Sequence, residues 1–148
     1  MRNEKGFSSI EFLIILSIIG IIVAVVLPNL FQSEIDVNET SAIKSIHNLI
    51  DAQITYSEIN GPEHYSTNMS SLSEHKLIDT VLGSGAKDGY IFSISSGTSN
   101  NTFTINARPE IYDSTGTRSF FADESNKIHY TTNNTAANST SPLLPVTN

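Results

Sequence analysis

Residues 5–13 read KGFSSIEFL and continue as IILSIIGIIVAVVLPNL at 14–30, and this stretch decides the fold. Sixteen consecutive residues carry no charge, and they begin directly after the carboxylate of Glu11. An acid at the edge of an apolar helix is costly to bury unless a cation meets it. After Lys5 the next basic residue is Lys44, roughly 50 Å away along a helix. The sequence as it stands therefore offers Glu11 almost no partner.

Cleavage of the chain after Gly6 would provide that partner. Phe7 would gain an α-ammonium group with a pKa of about 8, which is ionised in neutral water. This cation would lie one helical turn from Glu11. It would neutralise the carboxylate within the same chain or in a neighbouring one, so the local chemistry predicts a processed, self-associating helix.

The same residues carry a family resemblance. The segment 5–13, with the apolar run that ends in Leu27-Pro28-Asn29, resembles the N-terminus of type IV prepilins and type II secretion pseudopilins. The resemblance implies cleavage after Gly6, N-methylation of Phe7, an assembly role for Glu11 and a weakening of the helix by Pro28. The resemblance is specific across residues 5–30 only.

The resemblance also implies partners and a location. An inner-membrane prepilin peptidase would cut and methylate the chain, an inner-membrane assembly platform would receive it, and the subunits would self-associate into a helical filament. Arg2 and Lys5 favour a cytoplasmic N-terminus for a single membrane pass. The assembled subunit would then belong to an extracellular pilus or to a periplasmic pseudopilus.

Two features of residues 20–28 predict a soft stretch in this helix. Gly20 lowers helix propensity, and Pro28 removes one backbone donor and crowds the carbonyl of Ala24. A local kink and a segment that unwinds during assembly are both consistent with this pattern.

Several alternatives remain open from the sequence. An ordinary secretory signal is cut after its apolar region at a small-residue site, and residues 24–31 contain none. The segment is short for a span, because about 20 apolar residues are needed, but an uncut signal anchor stays an alternative. Within the filament class the runner-up is a type II secretion pseudopilin. A membrane-anchored periplasmic binding module is the rival outside it.

The remaining pattern predicts an α+β pilin fold, in which a long N-terminal helix packs on a small antiparallel sheet. We expect a leader at 1–6, an apolar membrane or assembly helix at 7–30, an amphipathic helix with an α/β head at 31–130, and a flexible Ser/Thr/Asn-rich tail at 131–148. One continuous helix is predicted over 8–60, ended by Gly61-Pro62.

The helical half beyond Pro28 shows one apolar stripe and mostly acidic residues on its other faces, among them Glu39. The stripe consists of Ile35, Ala42, Ile43, Ile46, Leu49, Ile50 and Ile54. A second helix is predicted over 71–82 from the capping-box spacing of Ser71 and Glu74.

Two hairpins are predicted from alternating apolar residues, one from strands near 90–94 and 103–107 and one from strands near 120–122 and 128–130. The segment 118–123 and Ile128 also look like strand motifs of some bacterial pilin heads, although this chain has no cysteine for the C-terminal disulfide found in many pilins.

Composition argues against several functions. Eight basic and 15 acidic side chains give a net charge of −7, and removal of residues 1–6 leaves six against 14, or −8. This acidity, without a basic cluster, argues against nucleic-acid binding. No catalytic constellation or metal-ligand spacing is evident, and no cofactor is expected. The segment Asp123-Glu124-Ser125-Asn126 is predicted to be a solvated turn, and the resemblance to pseudopilins alone keeps calcium in this C-terminal loop open.

Overall fold

The computed structural model of the chain describes residues 7–62, 64–97 and 99–145. By its contacts the chain divides into two compact units, one ending at Glu34 and the other beginning at Ile35. The predicted leader, residues 1–6, and residues 146–148 lie outside the described residues. The unit that begins at Ile35 is termed the head.

Helix α1 extends over Ser9–Asn60 without interruption, as the sequence predicts for residues 8–60. The helix continues through position 28. Gly61 ends the helix because its φ of 113° is accessible mainly to glycine, and its N–H still donates to the carbonyl of Ser57.

The head contains a five-stranded antiparallel sheet in which the strands follow one another in sequence order. The strands are β1 (Ala86–Lys87), β2 (Tyr90–Ser96), β3 (Phe103–Pro109), β4 (Ser119–Asp123) and β5 (Ile128–Thr131). Both predicted hairpins are confirmed, as β2–β3 and β4–β5. The two-residue strand β1 was not predicted. The α+β pilin architecture is therefore present.

The core of the head forms between the sheet and the buried face of α1. Apolar side chains alternate along the strands, so that Phe92 and Ile105 face inward while Ile91 is exposed. They meet Ala42, Ile46, Leu49 and Ile50 of the helix. The predicted stripe is wrong at one end: Ile54 is 44% exposed, and the buried position belongs to Gln53.

Gln53 can occupy this position because its amide is fully paired. Its Nε2 donates to the Ser66 carbonyl at 3.0 Å, and its Oε1 accepts the Ser66 N–H at 2.8 Å. A buried amide with both groups satisfied avoids the desolvation penalty of an unpaired one. The pair fixes the chain after α1 against the helix.

The predicted helix over 71–82 is wrong as a single element. The structure has two short helices, α2 (Met69–Glu74) and α3 (Thr80–Gly83), each begun by its own cap. Asn68 accepts from the Ser71 N–H and Asp79 from the Leu82 N–H, both at 2.8 Å. Lys76, with φ of 58°, turns the chain out of the helix between them.

Part of the C-terminal stretch, for which the sequence predicts a flexible tail, packs on the head. The N–H of Tyr130 donates to the Pro142 carbonyl, and the N–H of Leu144 donates to the Ile128 carbonyl. Ala137 is 3% exposed. Composition could not predict these backbone contacts, because Asn, Ser and Thr residues indicate a loop but not the surface on which the loop packs.

Candidate assembly surface

The N-terminal part of α1 presents apolar side chains on every face. Every large apolar residue within 7–31 exposes at least 42% of its surface, and Phe7 exposes 73%. A helix that is apolar all round is normally covered by protein or lipid. Length and composition make α1 the helix able to cross a membrane among the described residues, and none of its apolar window is buried.

Glu11 lies in the first turn of this helix. Its Oε2 accepts the backbone N–H of Ser8 at 2.9 Å, while the Ser8 carbonyl accepts the N–H of Phe12. This is one half of a capping box, in which the acid at the third helical position returns to the residue before the helix. The carboxylate is thus held one residue from the Phe7 nitrogen.

Polar side chains within the apolar segment are satisfied by their own helix. Ser17 donates to the Leu13 carbonyl at 2.8 Å, and Asn29 donates to the Val25 carbonyl at 3.3 Å. Hydrogen bonding to the preceding turn lets such residues enter an apolar environment without an unpaired donor. Glu11 is therefore the one charged side chain that residues 7–33 bring to such an environment.

The predicted softening residues lie on this segment. A methyl group at Gly20 would meet nothing within 4 Å, so no contact within the described chain requires glycine there. Position 28 is helical. Gly6 lies outside the described residues, and its predicted role in cleavage stays a prediction.

A curated relative decides the family. The type IV wide pilus major component PilA4 of Thermus thermophilus is 32% identical to this chain over 142 residues, which cover 96% of this chain and 97% of the relative. The chain belongs to the type IV pilin family. No family model matches it, and no solved structure matches it.

The head of this pilin contains a buried carboxylate that the sequence pattern placed on an exposed face. Glu39 of α1 is 2% exposed. Its Oε1 accepts from the N–H and the hydroxyl of Thr117, both at 2.8 Å, and from the Arg118 N–H at 3.1 Å. Its Oε2 accepts from Arg118 Nε. The prediction that Glu39 faces outward is wrong, because the loop after β3 covers it.

The ionisation of Glu39 follows from these contacts. Burial by itself would raise the pKa of this carboxyl. The hydrogen bonds from Thr117 and Arg118, together with the Arg118 charge, outweigh burial and lower the pKa below its usual value of 4.5. Glu39 therefore stays ionised in the folded head at neutral pH.

The loop between β3 and β4, residues 110–118, is attached to the head by further contacts around Tyr90. The Tyr90 hydroxyl donates to the Arg118 carbonyl at 2.8 Å, and burial and the nearby Glu39 charge raise the pKa of this phenol. A methyl group at Gly116 would collide with that hydroxyl. The Asn38 amide donates to the Thr115 carbonyl at 3.1 Å. The contacts fix the loop on α1.

The residues that the structure describes do not form a metal-binding cluster. They contain no group of three or more His, Asp or Glu side chains placed to hold an ion. At the β4–β5 turn, where calcium was left open, Asp123 Oδ1 accepts the Ser125 N–H at 2.9 Å.

Proposed function

We propose that this pilin is the structural, non-enzymatic subunit of a type IV pilus-class filament. The relative's name describes a major pilus component, which supports self-assembly of this chain. In the proposal, an inner-membrane peptidase removes residues 1–6 after Gly6 and methylates Phe7. The assembly platform then transfers the apolar helix from the membrane to the filament core, and cytoplasmic ATPases drive the process.

The exposed apolar helix with a single acid is the observation that carries the proposal. In a bilayer, lipid covers the side chains of residues 7–31; in the filament, neighbouring copies of the same helix would cover them. Lipid tails are as apolar as these side chains, so packing between helices rather than escape from water has to favour the filament. The helix would then have similar free energies in lipid and in the filament, which suits a polymer that extends and retracts.

Glu11 supplies what packing alone does not, an axial alignment. An apolar helix can slide along another at small cost, whereas a mispaired charge in a helix bundle is expensive. Pairing of the Glu11 carboxylate with the Phe7 ammonium group of a neighbour would select one offset. The capping contact of Glu11 with Ser8 holds the acid beside the future terminus.

The mass of the mature N-terminus, together with negative-stain microscopy of sheared cell surfaces, tests the proposal. We expect a chain that begins at N-methylated Phe7 and is recovered in surface fibres. A processed chain in cells without fibres would instead favour a pseudopilus. An intact Met1, in cells with an active prepilin peptidase, would contradict the proposal and favour a membrane-anchored binding module.

A further inference from the structure

The chain contains five Asn-X-Ser/Thr triplets, the acceptor sequence for sugar addition to asparagine. Such triplets arise often by chance in a chain rich in Asn, Ser and Thr, so the surroundings of each asparagine decide which of them can react. An acceptor asparagine has to be accessible, and its side-chain amide has to be free to meet a sugar. The five triplets begin at Asn38, Asn68, Asn100, Asn133 and Asn138.

Three of the five side chains are engaged in holding the fold. The Nδ2 of Asn38 donates to the Thr115 carbonyl at 3.1 Å, and this residue is half-buried. The Oδ1 of Asn68 accepts the Ser71 N–H as the cap of α2. Asn100 is half-buried, and its Oδ1 accepts from a serine hydroxyl of β2 at 2.9 Å. In the folded head these three side chains cannot turn toward another molecule without losing their contacts.

Asn138 is exposed, and its triplet forms an Asx-turn. Its Oδ1 accepts from the Thr140 N–H at 2.9 Å and from the Thr140 hydroxyl at 2.7 Å. Its Nδ2 makes no hydrogen bond within the residues that the structure describes. Asn133 is also exposed, but there the Thr135 N–H donates to the backbone carbonyl of Asn133 instead. The hydroxyl residue of the triplet thus holds the acceptor side chain at Asn138 and leaves its amide nitrogen free.

The two hydrogen bonds from Thr140 also favour the chemistry of Nδ2. An amide nitrogen is a weak nucleophile, because its lone pair is delocalised onto the carbonyl group. As Nδ2 loses a proton, negative charge develops on Oδ1, and both Thr140 donors already lie at that oxygen. Donors that are in place before the charge develops stabilise it without reorganisation.

The turn is fixed on both sides, so Asn138 keeps this geometry in the folded head. The Ser141 N–H donates to the Asn138 carbonyl at 3.0 Å, and the Ser141 hydroxyl accepts the Asn138 N–H at 3.1 Å. Before the turn Ala137 is buried, and after it the Pro142 carbonyl accepts the Tyr130 N–H. An enzyme can therefore reach Asn138 without unfolding the head.

From these relations we infer that Asn138 is an N-glycosylation site that takes an oligosaccharide from a lipid-diphosphate donor outside the cytoplasm. In the transfer, Nδ2 forms a bond to C1 of the first sugar, and the bond between C1 and the diphosphate oxygen breaks. The electrons of that bond leave with the lipid diphosphate, and the Nδ2 proton passes to a base of the transferase. The inference rests on the proposed export of the head and not on polymerisation.

The mass of the C-terminal tryptic peptide tests the inference. Lys127 is the last lysine or arginine, so trypsin releases residues 128–148 with both exposed triplets. In material from the membranes or sheared fibres of cells that naturally make this chain, we expect this peptide to carry an oligosaccharide, which fragmentation places on Asn138. An unmodified peptide, or a sugar on Asn133 or on a hydroxyl group instead, would overturn the inference.

Matched variants separate the triplet from the rest of the loop. Asn138→Gln and Thr140→Val should each abolish the modification, whereas Asn133→Gln should retain it. Thr140→Ser should also retain it, because serine keeps the hydroxyl donor. Full modification of Thr140→Val would contradict the part assigned to that hydroxyl. Fibres of an unmodified chain would overturn the site and leave the proposed filament intact, whereas a modified chain in cells without fibres would support the site and contradict the filament.

Discussion

Glu39 on α1 and Arg118 before β4 are 79 residues apart in the chain, and they form an ion pair in which the carboxylate is almost wholly buried. The Arg118 guanidinium also lies over the Phe120 and Tyr130 rings, 5.6 and 5.8 Å from their centroids. Cation–π contacts of this kind add to the electrostatic attraction. The pair therefore connects the helix, the β3–β4 loop and the last two strands.

Replacement of Glu39 by glutamine should destabilise the head by about 3 kcal/mol, because it leaves the Arg118 charge without its buried partner. Denaturant unfolding of the detergent-solubilised chain, followed by tyrosine fluorescence, would measure the change. Glu58→Gln removes an exposed acid from the same helix and should change stability by less than about 0.5 kcal/mol. Equal losses in the two variants would contradict a structural role for the pair.

The lowered pKa of Glu39 predicts an acid-labile head. The folded state keeps this carboxylate ionised at pH values where the unfolded chain binds a proton, so its stabilising effect is present above pH 4.5 and is lost as pH falls below that value. The midpoint of thermal unfolding should fall with acidity over this range. The pKa of Asp79 is also lowered, by the Leu82 N–H first and Lys87 next, so Glu39→Gln should flatten the profile without abolishing it. If the unfolding midpoint of Glu39→Gln fell with acidity as steeply as that of the parent, groups other than Glu39 would cause the acid sensitivity.

Gly116→Ala should destabilise the head by about 1–3 kcal/mol, because the added methyl group would collide with the Tyr90 hydroxyl. Combination with Tyr90→Phe removes that hydroxyl and should recover part of the loss. Thermal unfolding of both variants would measure it. A Gly116→Ala protein as stable as the parent would show that the loop moves aside without cost.

Glu11→Ala should leave the subunit level in the membrane unchanged and lower fibre yield by about tenfold or more, since about 1.4 kcal/mol per contact is a factor of ten in association. Quantification of sheared fibres against total subunit would measure the ratio. Glu34→Ala, an exposed acid farther along the same helix, is the matched control. A normal fibre yield from Glu11→Ala would show that Glu11 is not needed to align the subunits.

Gly20→Ala should stabilise the helix by about 1 kcal/mol, and nothing in the described chain opposes the added methyl group. If assembly requires this stretch to unwind, the variant should form fibres more slowly than the parent. Ser17→Ala, which changes helix propensity less, is the control. Equal rates in all three chains would show that softness at Gly20 is not needed.

The long helix and both hairpins were predictable, because their signals are local periodicities of 3.6 and two residues. The burial of Glu39 was not predictable from local periodicity, since its partners Thr117 and Arg118 are distant in sequence. Its place on the helix offered a signal: it lies four residues after Ile35 and three before Ala42, within the buried stripe. The division of residues 71–82 was not predicted, because the capping-box spacing at Ser71 suggested one start, whereas Asn68 caps α2 and Asp79 caps α3. At the N-terminus, the exposed apolar side chains agree with the predicted membrane or assembly helix, and cleavage after Gly6 stays a prediction.

The C-terminal backbone that pairs with β5 has a consequence for how this protein polymerises. His129 and Leu143 form an antiparallel bridge there, and Pro142 and Pro145 flank it. An open strand edge would invite cross-β stacking of heads, which is effectively irreversible. Occupation of the β5 edge by the chain's own residues 142–144 closes that edge to strand pairing between heads, so in the proposed filament the heads would not be joined through β5.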